Sequence, residues 1–283
     1  MNTLVTETET ETAPASAPAS AKPETADHRV TGTRVLRSEW AKLRSLRSTW
    51  ITLGLTLVIL ISFALIFAFS YAPGEQGPAS DISDGVAVAL GGVGFAQLTL
   101  GVLGVLVMAG EYSTGMIRST LSAVPARLPV LWSKIAGFGA LALVVSTVAV
   151  FAAFLSVQGV IGDTDLAVGL TDAGVVRSLL GAGFSLALVG VLGVATGAVL
   201  RSVAGGIGLL VGLLMLLPFF CDLLPSAVND AVSPYLPSNA AGSMFTLHPA
   251  SDALSPGTGL VALAGWVAVS AAGAAWRLKR SDV

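Results

Sequence analysis

Apolar residues in this chain are gathered into continuous blocks of roughly twenty, and no other feature of the sequence constrains its fold as tightly. The hydrocarbon layer of a bilayer is about 30 Å thick, and a helix rising about 1.5 Å per residue crosses it in about 20 residues. Blocks of that length, unbroken rather than arranged as amphipathic stripes, make lipid the expected solvent. Composition agrees, since 54% of residues are hydrophobic, 11% are charged and the mean hydropathy is +0.81. A soluble core cannot hide so much apolar surface.

The expected fold is an all-α integral membrane protein of about six transmembrane helices, at about 49–71, 86–109, 135–160, 178–200, 203–224 and 257–276. The first ends at Ala72-Pro73-Gly74, where proline and glycine stop a helix. The apolar stretch between Val175 and Leu224 is too long for one crossing and has Arg201 near its middle. An arginine at the bilayer centre costs about 2.5–3.5 kcal/mol on insertion scales, so the stretch divides into two helices with Leu200-Arg201-Ser202 at a membrane surface. Residues 1–30 are rich in Thr, Glu, Ala and Pro and are expected to form a disordered cytoplasmic tail ahead of a transmembrane domain at 31–283. That tail lacks the basic start and apolar core of a secretory signal.

Charge orients the spans. Of the fifteen Lys and Arg, seven precede span one, Arg118, Arg127 and Lys134 lie between spans two and three, Arg201 lies between four and five, and Arg277, Lys279 and Arg280 follow span six. The other side holds only Arg177, together with nine acids from Glu75 to Asp252. Cytoplasmic flanks retain positive charge, so both termini are expected in the cytoplasm. The sequence has one cysteine, Cys221, and two histidines, His28 and His248, too few for an intrachain disulfide or a Cys/His metal cluster. It has no G-x-x-x-x-G-K-[ST] phosphate loop and no Gly-Lys dipeptide, so the chain is expected to carry no cofactor and to hydrolyse no ATP itself.

Two segments outside the spans carry more than connection requires. Before span one, Leu36, Trp40, Leu43, Leu46 and Trp50 fall within about 120° of arc on a continuous helix, with basic residues over most of the remainder. That pattern predicts an interfacial helix on an anionic inner leaflet, although Glu39 and Arg47 intrude on its apolar face. After span two, the run from Gly110 to Leu121 gathers a carboxylate, an aromatic ring, helix-capping hydroxyls and an arginine in a short loop that a partner could contact.

Three regions resemble the permease subunits of type-two ATP-binding-cassette (ABC) exporters, specifically the short six-span bacterial ones: Ser38-Glu39-Trp40-Ala41-Lys42-Leu43-Arg44-Ser45, Glu111-Tyr112-Ser113-Thr114-Gly115-Met116-Ile117-Arg118, and Tyr235-Leu236-Pro237-Ser238-Asn239-Ala240. With the span pattern, the resemblance covers about 34–280, and the middle motif is the most specific. It implies a non-catalytic transport subunit of the bacterial cytoplasmic membrane. A separate ATPase subunit would bind the ATP and Mg, and a second permease copy would complete a homo- or heterodimer. The segment before span one would be a connecting helix, and a coupling helix between spans two and three would touch the ATPase through Glu111, Tyr112, Gly115, Met116 and Arg118.

An ion-coupled secondary transporter and a non-transporting membrane anchor or sensor are the rival readings. Proton-coupled pumps usually need buried ionisable groups, and none falls clearly inside the predicted spans, which disfavours the first. An apolar interior suits a hydrophobic or amphiphilic cargo. Membrane lipid, rather than nucleic acid, is the remaining expected partner. Two points stay open: whether the chain breaks at Pro218 to re-enter the membrane or only kinks there, and whether the four-residue glycine spacings at Gly193 and Gly197 and at Gly208 and Gly212 serve packing within the chain or a dimer surface.

Overall fold

The structure, a computed structural model, describes residues 32–71, 84–123, 127–249 and 253–280. The tail expected at 1–30 lies outside them. Among the described residues every regular element is helical, and six helical segments are long and apolar enough to cross a membrane: Arg47–Ser70, Gly85–Ser113, Arg127–Ile161, Val175–Leu200, Val203–Asp222 and Pro256–Arg280. Hydrogen bonding does not stop where hydrophobicity does, so the third segment begins eight residues before the expected 135. At about 1.5 Å per residue its 35 residues reach about 52 Å, well beyond the hydrocarbon layer.

Two short helices flank the first spans. α1 (Gly32–Ser45) precedes α2 (Arg47–Ser70), and Leu46 between them is extended, with φ −81° and ψ 107°. The second span is divided, contrary to the unbroken helix expected: α3 (Gly85–Leu90) turns at Gly91-Gly92 into α4 (Val93–Ser113). A Cβ on Gly91 would overlap the Phe67 ring of α2, so the glycine leaves room for that ring at the break. Asp84 caps α3, accepting from the Ala87 N–H at 2.9 Å. α5 (Met116–Ala123) and the long α6 (Arg127–Ile161) follow.

α7 (Val175–Leu200) is the most enclosed helix and packs on α4 backbone to backbone. A Cβ on Gly104 would overlap the Gly190 carbonyl, and one on Gly193 would overlap the Gly101 carbonyl. The Gly193/Gly197 spacing therefore serves packing within the chain. At Gly208 and Gly212, by contrast, an added Cβ meets nothing within 4 Å.

The fifth span combines α8 (Val203–Val211), one π turn at Gly212–Leu216 and α9 (Leu217–Asp222). Proline removes an N–H and crowds the preceding turn, and the widened turn just before Pro218 absorbs both effects. The chain therefore stays helical through Pro218. It continues into α10 (Ser226–Val232), a 3₁₀ turn at Ser233–Tyr235 and α11 (Pro237–Ser243). α11 and Met244 wedge between α7 and α12 (Pro256–Arg280), where Gly181 faces the Met244 carbonyl and Gly259 faces Ser243.

Candidate functional site

α1 meets the bundle along a stripe of Val35, Glu39 and Leu43, four residues apart and so on one face of the helix. The continuous helix assumed for the expected arc is interrupted. The extended Leu46 separates the two helices, so Trp50 belongs to α2, and Leu36, Trp40, Leu46 and Trp50 are all exposed. Of the five residues expected on one apolar face, only Leu43 is buried. Glu39, which looked like an intrusion, is the centre of the buried stripe.

The burial of Glu39 is answered by charge. Lys134, near the start of α6, donates to Glu39 Oε2 at 2.6 Å and to Glu111 Oε1 at 2.8 Å. Lys42 donates to Glu39 Oε1 at 2.8 Å and to the same Glu111 oxygen at 3.0 Å. Two carboxylates and two ammonium groups thus form a neutral cluster joining α1, α4 and α6. The side chains of Lys134, Glu39 and Glu111 are only 3%, 4% and 5% exposed. Burial alone would pull the Lys42 pKa down, but the hydrogen bonds to Glu39 and Glu111 and their charges outweigh it and hold the value above the ordinary lysine 10.5. Lys42 also donates to Thr120 Oγ1 at 3.3 Å, which ties α5 to the cluster.

Immediately beyond the cluster the chain turns outward. α4 ends at Ser113, Gly115 takes a left-handed φ of 73°, and α5 begins at Met116. Ile117 is buried and seats α5, whereas Gly115, Met116 and Arg118 are exposed. The five residues expected to make one contact surface therefore divide. Gly115, Met116 and Arg118 present a surface; Glu111 lies in the buried cluster and cannot touch a partner directly. Tyr112 is half-buried, with the Arg201 guanidinium 5.4 Å from its ring centre. The reason is helical phase: Glu111 and Tyr112 are still on α4, facing the bundle, and the chain turns away only after Ser113.

Around Tyr112, helix ends are tied together by arginines. Arg201 caps α7 in a left-handed conformation, φ 54°, and donates to the Arg277 carbonyl at 3.2 Å. Arg277 donates to the Val199 carbonyl, and Arg127 to the Leu278 carbonyl at 3.3 Å. At the opposite end of the bundle, His248 Nδ1 meets Asp84 Oδ2 at 3.0 Å, and Arg177 donates to the Thr246 carbonyl at 3.4 Å. Residues that the charge map assigned to one side are thus gathered at one end.

The predicted apolar blocks hold no ionisable group, but the helices continue past them, and Glu111 and Lys134 are buried in those extensions. Sequence reasoning missed Lys134 because it read that residue as a flank. The available signal was Glu39 itself, an acid at a core-facing position three residues before Lys42.

A family model described as ABC-2 family transporter protein matches residues 35–221, from the buried stripe of α1 to the end of the fifth span. No curated protein matches the chain.

Proposed function

This chain belongs to the ABC-2 transporter family and is a multi-pass membrane protein, and from that premise we propose that it is the permease subunit of an exporter driven by a separate ATP-binding subunit. In this reading the end bearing Arg127, Arg201 and Arg277 faces the cytoplasm, as the distribution of basic residues predicts, and the protein resides in a bacterial cytoplasmic membrane. The ATPase binds ATP and Mg and docks on the exposed turn at Gly115, Met116 and Arg118. A second permease copy completes the transporter, and the cargo is a hydrophobic or amphiphilic compound suited to the apolar spans.

One observation carries the proposal: the exposed turn stands directly over the buried Glu39, Lys42, Glu111 and Lys134 cluster and is joined to it through Thr120. A displacement of α5 by a docked ATPase would be passed to α1, α4 and α6 together, because a cluster with two cations shared between two carboxylates resists being pulled apart one helix at a time. Glu111 is on this view a positioning residue behind the contact.

The test is reconstitution of the chain with its ATPase in proteoliposomes. ATP-dependent transport is expected only with both subunits, and Arg118→Glu combined with Met116→Asp should uncouple it while both proteins remain in the membrane. Transport by the chain alone down an ion gradient, or full coupling in the double variant, would overturn the reading.

A further inference from the structure

The arginine corner at the basic end is not used by the coupling reading. A guanidinium carries five N–H donors, and Arg201 and Arg277 each direct one at a protein carbonyl, on the last turns of α12 and α7 respectively. Those helix ends offset about half a charge each, which leaves a surplus of about one positive charge for the pair. α8 starts at Val203, two residues after Arg201, and adds the positive end of another helix dipole. Among the described residues no carboxylate pairs with either arginine, since Glu111 is held by Lys42 and Lys134. Within this corner the Arg201 Nε is buried without a partner, and the buried Tyr112 hydroxyl has the Arg201 guanidinium as its neighbour. Native structures rarely leave such groups unanswered.

Depth indicates the ligand. Trp276, next to Arg277, is 59% exposed, with the Arg280 guanidinium 4.7 Å from its ring centre. An exposed indole beside basic residues at the end of a span marks the headgroup level of a membrane. We propose that Tyr112, Arg201 and Arg277 form a binding site for a phosphate group bearing about one negative charge, supplied by an anionic phospholipid of the adjoining leaflet. The phosphodiester neutralises the surplus charge, and its oxygens accept from the two guanidinium groups and the Tyr112 hydroxyl.

The full chain, purified in detergent and stripped of lipid, is titrated with phosphatidylglycerol or with phosphatidylcholine of the same acyl chains, and thermal midpoint and native mass spectrometry are read. Phosphatidylglycerol should raise the midpoint and remain bound, and phosphatidylcholine should do neither. Arg201→Gln with Arg277→Gln keeps a donor for each helix-end carbonyl and should weaken that affinity at least tenfold. Tyr112→Phe removes a hydroxyl that neighbours the Arg201 guanidinium, so the lipid-free midpoint should change little while affinity falls at least tenfold. A merely structural hydroxyl would instead lower that midpoint. Lys279→Gln with Arg280→Gln, which alters exposed charges nearby, should leave affinity unchanged. If millimolar inorganic phosphate reproduces the whole shift without lipid, the anion site stands and its lipid source is refuted. Equal response to both lipids with none to phosphate, or a preference that survives Arg201→Gln with Arg277→Gln, overturns the site. So does loss of ATPase binding in that variant with lipid affinity intact, which would assign the arginines to an acidic protein partner. Lipid binding is measured without the ATPase, so failure here is distinguishable from failure of the coupling reading.

Discussion

Replacing Lys134 by methionine removes the ammonium group 2.6 Å from Glu39 and 2.8 Å from Glu111 while keeping most of the side-chain volume. Two carboxylates, 4% and 5% exposed, are then left to share Lys42. The cluster passes from neutral to one excess negative charge, with the 30%-exposed Lys42 as its remaining cation. Breaking a buried ion pair from one side costs about 3–5 kcal/mol. For a domain of this size, 1 kcal/mol moves the melting midpoint by about 2–4 °C, so a fall of about 6–20 °C is expected. The control is Lys134→Met with Glu111→Leu, which removes one charge of each sign and leaves the Glu39–Lys42 pair at 2.8 Å. That double variant should recover most of the loss, because an apolar replacement of a buried pair is often neutral. The assay is thermal unfolding of the detergent-solubilised chain followed by tryptophan fluorescence. A cost below about 1 kcal/mol for the single change, or a double variant as unstable as the sum of the two singles, would refute the cluster as a cooperative unit.

Lys42 should impose an alkaline limit on stability. Its folded pKa is raised, so its contribution is complete below the ordinary lysine 10.5 and is lost as pH climbs through the folded value; a midpoint scan should show a drop above pH 10.5 that Lys42→Met lacks. Gly193→Val sets a branched side chain against the Gly101 carbonyl and should prevent α4 and α7 from closing, seen as aggregation in size-exclusion chromatography. Gly208→Ala meets open space and should express normally. Arg118→Ala, at an exposed position, should leave the midpoint within about 0.5 kcal/mol equivalent while reducing ATP-dependent transport with the partner ATPase. Unchanged transport in that variant would remove Arg118 from the contact.

The spans were legible because hydrophobic length is a property of consecutive residues and needs no knowledge of neighbours. The turn at Arg201 was legible for the same reason, since an arginine amid apolar residues has few places to go. The glycine spacing at Gly193 and Gly197 announced close packing, but its partner, the Gly101/Gly104 face of α4, could be named only from the fold. The break at Gly91-Gly92 was missed, and the Phe67 ring for which Gly91 leaves room lies on another helix.

What the sequence alone determined is the solvent of this chain, its number of crossings, the grouping of its basic and acidic ends, and the charged and aromatic run that ends span two. Tertiary structure alone decided which motif residues face outward. Periodicity can say that Glu39 shares a helical face with Leu43, but it cannot say that Lys134, 95 residues away, completes that face with charge. A buried carboxylate is tolerable only where an opposite charge is brought to it. Which helices meet there is settled by packing in three dimensions, and that packing turned an apparent flaw in an amphipathic helix into the junction of α1, α4 and α6.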